Sequence, residues 1–69
     1  MSGDKSSIIR VSGVSVADVQ QALTRAGYDP GPVDGRAGKK TKAAIKKFQR
    51  RHNIAADGIV GEKTWERLK

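Results

Sequence analysis

Asp34-Gly35-Arg36-Ala37-Gly38-Lys39-Lys40-Thr41 and, 23 residues further on, Asp57-Gly58-Ile59-Val60-Gly61-Glu62-Lys63-Thr64 are two copies of one pattern, D-G-x-x-G-x-K-T. Five of the eight positions agree, every glycine among them. The chemistry of the pattern is that of a corner leading into a helix. The aspartate bonds backbone N–H groups two residues on, and the glycine after it takes the φ that other residues avoid. The second glycine stands at the N-cap, and the threonine three residues later falls at N3, hydroxyl towards exposed backbone groups and methyl towards the core. Gly13-x-x-Val16 reads as a degenerate third copy, again just before a helix.

Working outward, three helices are expected. The first runs from about Val16 to Ala26, where Val16, Val19, Leu23 and Ala26 recur at helical spacing. Ser15 and Asp18 form a capping box with Asp in place of the usual Glu, and Gly27 is the stop. Tyr28 to Gly38 is a turn-rich connection in which Pro30-Gly31 suits a type II turn. The second helix spans about Lys39 to His52. Thr41, Ala44, Ile45, Phe48 and His52 share one arc of roughly 100°, while Lys39, Lys40, Lys42, Lys46, Lys47, Arg50 and Arg51 lie opposite. Asn53 ends it, helped by its tolerance of the left-handed region. Ile54 to Gly61 is a second loop, and a short third helix from about Glu62 to Leu68 turns Trp65 and Leu68 inward. No strand pattern of useful length appears. The fold class is all-α, a compact three-helix bundle with two long turn-rich loops. The division of the chain is 1–12 as a flexible tail, with Ile8, Ile9 and Val11 as a short apolar stretch suited to packing on the body, and 13–69 as the domain.

Composition narrows the function. The chain has 69 residues, enough for one small domain, and no cysteine, so neither a disulfide nor a thiolate metal site holds it. No apolar run is long enough to insert in a membrane, and the polar opening residues lack the apolar core of an export signal. Fourteen basic against seven acidic side chains give a net charge of +7, which favours anionic partners without choosing among them.

The ordered succession of motifs resembles the peptidoglycan-binding domain (PGBD-like) family of bacterial cell-wall proteins. Val16-x-x-Val19-Gln20-x-x-Leu23 is similar to the family's V-x-x-L-Q-x-x-L. Gly27-Tyr28-x-Pro30-Gly31-Pro32-Val33-Asp34-Gly35 is similar to G-Y-x-P-G-x-V-D-G, and Gly38-x-Lys40-Thr41-x-Ala43-Ala44-Ile45-x-x-Phe48-Gln49 to G-P-x-T-x-A-A-V-x-x-F-Q. Asp57-Gly58-Ile59-Val60-Gly61-x-Lys63-Thr64-Trp65-x-x-Leu68 resembles D-G-I-V-G-P-x-T-W-x-x-L. The likeness covers about Gly13 to Leu68. It departs at Lys39 and Glu62, where the family often has proline; both are N1 positions, at which proline is favoured but not required. The resemblance implies a compact bundle of three helices and a non-catalytic module that holds a larger envelope protein or hydrolase on the wall. It also implies an extracytoplasmic location and peptidoglycan, through its stem peptide or glycan, as partner; a monomer is the default expectation.

Nothing in the residues suggests catalysis, a metal or a cofactor. His52 is the single histidine, every serine lies at or before Ser15, and the carboxylates are dispersed. His52 is explained by contact with the negative end of its helix. A wall ligand offers carboxylates, amides and sugar hydroxyls, so its site calls for cationic or amide donors beside an aromatic floor. Tyr28, Arg36, Lys39, Lys40, Gln49 and Trp65 supply those types around the loops and helix ends, and a shallow groove between the first loop and the second helix is the expected place. The same residues have structural readings: Trp65 and Phe48 as core, Tyr28 as a half-buried cover, Gln49 as a partner of a loop carbonyl. Two alternatives stand beside wall binding. One is a basic nucleic-acid-binding three-helix domain, weakened by its very short third helix. The other is a protein–protein spacer that keeps the fold without wall affinity.

Overall fold

A computed structural model describes residues 8–69. The expectation of a flexible tail over Met1 to Ser7 lies outside the described residues. Three helices follow in order: α1 (Val16–Arg25), α2 (Lys39–Arg51) and α3 (Glu62–Leu68), with α1 packed against both of the others.

The helix ends follow the local chemistry. At the start of α1 the Ser15 hydroxyl accepts from the Asp18 N–H at 3.1 Å, and the Asp18 carboxylate accepts from the Ser15 N–H at 3.1 Å. This is a complete capping box, and it satisfies two donors that the helix itself leaves free. α1 and α2 both end in the same double turn. After α1, Gly27 takes φ 92, its N–H bonds the Thr24 carbonyl, and Tyr28 N–H bonds that of Leu23. After α2, Asn53 takes φ 60, its N–H bonds the Arg50 carbonyl, and Ile54 N–H bonds that of Gln49. Both are the paired bonds of a Schellman motif, which needs a left-handed residue just past the helix.

One apolar cluster joins the elements. Val19, Ala22 and Leu23 of α1 meet Ala44, Ile45 and Phe48 of α2, with Val60, Leu68 and Ile8 closing the sides. Ala22, not Ala26, completes the buried stripe of α1. Ala26 is the C-cap, where the chain leaves the helical cylinder, and it is exposed. Tyr28 sets its ring edge-on to Phe48, with centroids 5.6 Å apart at 79°, the favoured T-shaped geometry. His52 lies on the other side of Phe48, 4.2 Å between centroids. His52 is the C-cap of α2 rather than its last residue.

The apolar stretch before Gly13 joins the body through backbone as well as side chains. Arg10 N–H donates to the Val60 carbonyl at 2.9 Å and Val60 N–H to the Ile8 carbonyl at 2.6 Å, an isolated parallel bridge between Ile9 and Val60. Ile8 is buried and Val60 wholly so. Among the described residues, contacts with the body are therefore made from Ile8 on, ahead of the division drawn at Gly13.

In so small a domain the capping box carries measurable weight. Ser15→Ala is expected to cost about 1 kcal/mol, a fall of about 4–8 °C in the thermal midpoint, read by the far-ultraviolet circular dichroism of the full chain.

Candidate functional site

The fully buried polar side chains explain why the sequence repeats. Buried polar groups among the described residues are Gln20, Thr41, Gln49 and Thr64, and they fall into two equivalent pairs. Gln20 projects from α1 into the first D-G corner. Its carboxamide oxygen accepts from Asp34 N–H at 3.1 Å and Gly35 N–H at 3.0 Å. Its nitrogen donates to the Arg36 carbonyl at 2.9 Å, the Thr41 hydroxyl at 3.1 Å and the Asp34 carboxylate at 3.3 Å. Gln49 does the same from α2 into the second corner. Its oxygen accepts from Gly58 N–H at 3.0 Å. Its nitrogen reaches the Ile59 carbonyl at 2.8 Å, the Asp57 carboxylate at 3.2 Å and the Thr64 hydroxyl at 3.2 Å.

Each glutamine substitutes for a strand that is not there. A loop that turns sharply exposes N–H and C=O groups that no regular ladder satisfies, and burying them unpaired costs about 1–3 kcal/mol each. A primary amide carries both a donor and an acceptor end, so one side chain serves both. Gly35 (φ 78) and Gly58 (φ 75) supply the left-handed bend that aims the N–H groups at it. The threonine hydroxyls do not turn to exposed N–H groups of their own helix as the sequence suggests. They accept from the glutamines instead, and Thr41 also donates to the Pro30 carbonyl at 2.9 Å.

The aspartates close the corners. Asp34 accepts from Arg36 N–H and Asp57 from Ile59 N–H, each at 2.9 Å. The Arg36 N–H, then the Gln20 amide, hold the Asp34 carboxyl below its ordinary 3.8. The Ile59 N–H does the same for Asp57, with a smaller part from Gln49 against some desolvation. Asp29 is lowered chiefly by the Gly31 N–H and then by the Lys40 ammonium, 3.4 Å away. Lowered folded values mean that this stabilisation is present above the ordinary carboxyl range and is lost as pH falls through the folded values.

Each corner opens on a hollow. The first, about 470 Å³, is lined by Gln20, Pro30, Pro32, Asp34, Arg36, Gly38, Lys39, Lys40 and Thr41. The second, about 340 Å³, is lined by Arg10, Gln49, Ile54, Ala55, Asp57, Ile59, Gly61, Glu62, Lys63 and Thr64. The hollows occupy equivalent places in the repeat but differ in charge. The first has three cations against one carboxylate, and the second two cations against two carboxylates. Gly38, the N-cap of α2 at the first hollow, provides no side-chain cap for the opening N–H groups, and Gly61 leaves α3 the same way at the second.

Of the six residues singled out in the sequence, the structure brings together Arg36, Lys39 and Lys40 at the first hollow, all exposed. Gln49 stands at the second corner, fully buried and occupied by its loop. Tyr28 and Trp65 line neither hollow; both are half-buried and packed on the core. Gln20 escaped the sequence reading. Its signal was present, because each D-G corner is preceded by a glutamine directly after a core residue, Val19-Gln20 and Phe48-Gln49. Among the described residues no three His, Asp or Glu side chains come together as a metal cluster would require.

Comparison with known proteins places these features. The family described as "Putative peptidoglycan binding domain" matches residues 12–68. The chain is 37% identical over 65 residues to the N-acetylmuramoyl-L-alanine amidase CwlL of Bacillus licheniformis, covering 86% of this chain and 18% of the amidase. It is 41% identical over 56 residues to the amidase CwlM of Mycobacterium tuberculosis, covering 81% of this chain and 14% of that protein. It is 40% identical over 62 residues to the zinc D-Ala-D-Ala carboxypeptidase of Streptomyces albus G, covering 83% and 23%. The chain thus spans less than a quarter of the length of each. No solved structure matches it.

Two outcomes test the corners. Gln49→Glu keeps the shape but turns a carboxylate towards the Ile59 carbonyl and the Asp57 carboxylate. An unpaired buried charge costs about 3–5 kcal/mol, a large part of the roughly 3–10 kcal/mol that a chain of 69 residues holds at about 0.05–0.15 kcal/mol per residue. By circular dichroism at neutral pH the variant should melt more than about 10 °C below the parent, and a melt within a few degrees of the parent would refute the role. In Asp34→Asn/Asp57→Asn the amide oxygens keep the turn but cannot be protonated in the acid range. Its urea midpoint should fall less than the parent's between about pH 5 and pH 2.

Proposed function

The chain belongs to the peptidoglycan-binding domain family, and we propose on that footing that it is a non-catalytic module that holds a larger envelope protein on the bacterial cell wall. The relatives act through amidase or carboxypeptidase activities in proteins four or more times as long as the matched segment. On this reading the shared part is the binding unit, and the catalysis belongs to the remainder of those proteins. This reading places the chain outside the cytoplasm. No helix among the described residues is long and apolar enough to cross a membrane. The domain acts as a monomer joined to a catalytic or envelope partner; its motif-bearing part, from Gly13 on, is the wall-binding unit, with Ile8 to Arg10 laid against Val60.

The observation that carries the reading to a site is the charge contrast between the two hollows. Peptidoglycan stem peptides end in carboxylates and carry amides along their length. The first hollow offers Arg36, Lys39 and Lys40 beside the uncapped start of α2, over a floor of Pro30 and Pro32. A helix start with free N–H groups favours a carboxylate, and a guanidinium pairs with one in two parallel bonds. The second hollow is electrically balanced and is the weaker candidate. Tyr28 and Trp65 pack on the core and Gln49 holds the second corner, so these three serve the fold and not the ligand.

Mapping amide chemical shifts with soluble muropeptides tests site and function together. Residues 30 to 41 should move most. The double variant Arg36→Gln/Lys39→Gln, both exposed, should weaken binding about tenfold, the worth of one charge-assisted bond, and leave the thermal midpoint unchanged. Shifts confined to residues 54 to 64 would transfer the site to the second hollow, and no shifts at millimolar ligand would favour the spacer.

A further inference from the structure

α2 carries a second charged surface, and the peptidoglycan reading uses only its N-terminal end at Lys39. Its 13 residues contain seven cations and no carboxylate. At 100° per residue, the side away from the core spans about 180°, and Ala43 is its single uncharged member. Lys39, Lys42, Lys46 and Arg50 fall within about 80° of one another over a rise of about 16 Å, a band of charges along one side of the helix. All four are exposed, and the ion pairs found among the described residues are Lys40–Asp29 and Lys69–Glu66, so none of the four is neutralised there. The row is held as well as charged. The stem of Lys46 lies over Gly58, close enough that a Cβ there would meet its Cε at 3.3 Å. Covering the second corner with its methylenes directs the ammonium outward.

We propose that this row is a docking surface for a flexible, phosphodiester-linked anionic polymer of the cell envelope, running from Lys39 at the edge of the hollow beside Arg36 along the outer side of α2. Seven like charges on one short helix repel one another, so an anionic chain laid along it relieves the repulsion and releases counterions on both sides. The side chains of this face include no aromatic ring and no amide, so it recognises spaced negative charge and not the shape of a compact ligand. The absence of amides argues equally against reading base edges, which calls for Asn, Gln or bidentate Arg aimed into a groove. The choice of an envelope polymer over a nucleic acid rests on the wall-binding reading.

The test measures binding of the full chain to three probes: poly(glycerol phosphate), duplex DNA at equal phosphate, and sacculi stripped of phosphodiester polymers with hydrofluoric acid. Four contacts to a flexible chain give a slope of about −0.7 each, so affinity for the polymer should fall about 50-fold between 50 and 200 mM salt. Lys42→Gln/Lys46→Gln/Arg50→Gln should reduce that fall to about threefold, whereas Lys42→Arg/Lys46→Arg should keep it. Both variants should sediment with stripped sacculi as the parent does. Equal polymer binding by the Gln variant, with its thermal midpoint unchanged, overturns the proposal, and so does tighter binding to DNA than to polymer. Loss of the stripped-sacculus signal in the parent, with polymer binding intact, would remove the peptidoglycan reading and leave the cationic surface standing.

Discussion

A buried carboxamide that satisfies the backbone of a turn is the interaction on which this domain depends. Three short helices and two long loops leave many peptide groups without a ladder, and the apolar core is too small to tolerate them unpaired. Gln20 and Gln49 each stitch a loop to a helix from the inside, using both ends of the amide. The D-G pair, the following glycine and the threonine are the counterparts each glutamine needs. The bend presents the N–H groups, the helix start brings back the hydroxyl, and the aspartate closes the turn.

This arrangement also determines where the domain meets its surroundings. Each stitched corner ends at the start of a helix, so charged residues beside it are held on a rigid frame while remaining in solvent. At the first corner those residues are Arg36, Lys39 and Lys40; at the second, Lys63 is balanced by Glu62. One structural device repeated twice has thus produced two unlike surfaces, because the positions between the glycines are free to vary. The same freedom applies to the outer side of α2, where the core demands only Thr41, Ala44, Ile45, Phe48 and Gln49 and leaves the remainder to charge.

Much of this was legible in the residues. Helix bounds followed from apolar spacing and from stop and start chemistry: Ser15 with Asp18, Gly27 and Asn53 act as their side chains and φ preferences require. The all-α bundle and the cationic side of α2 followed from one period of 3.6. What was not legible involved partners distant in sequence. Gln20 is 21 residues from Thr41, and a glutamine on a helix reads as surface until the loop that claims it is known. Ala26 fits the apolar stripe by spacing, but the helix ends before its side chain returns to the core. The pairing of Ile9 with Val60 joins two segments too short to read as strands. Of the candidate ligand residues, the cations at the first loop came together because they are neighbours in sequence. Tyr28 and Trp65 did not join them, because the core had prior use for their rings.

Amide hydrogen exchange at Gly35 and Gly58 tests the account most directly. If the buried glutamines fix the corners, these two N–H groups, though in loops, exchange only when the whole domain unfolds, at the same free energy as the amides of Ile45 and Phe48. Exchange at the rate of an open loop, with the helix amides still protected, would contradict it.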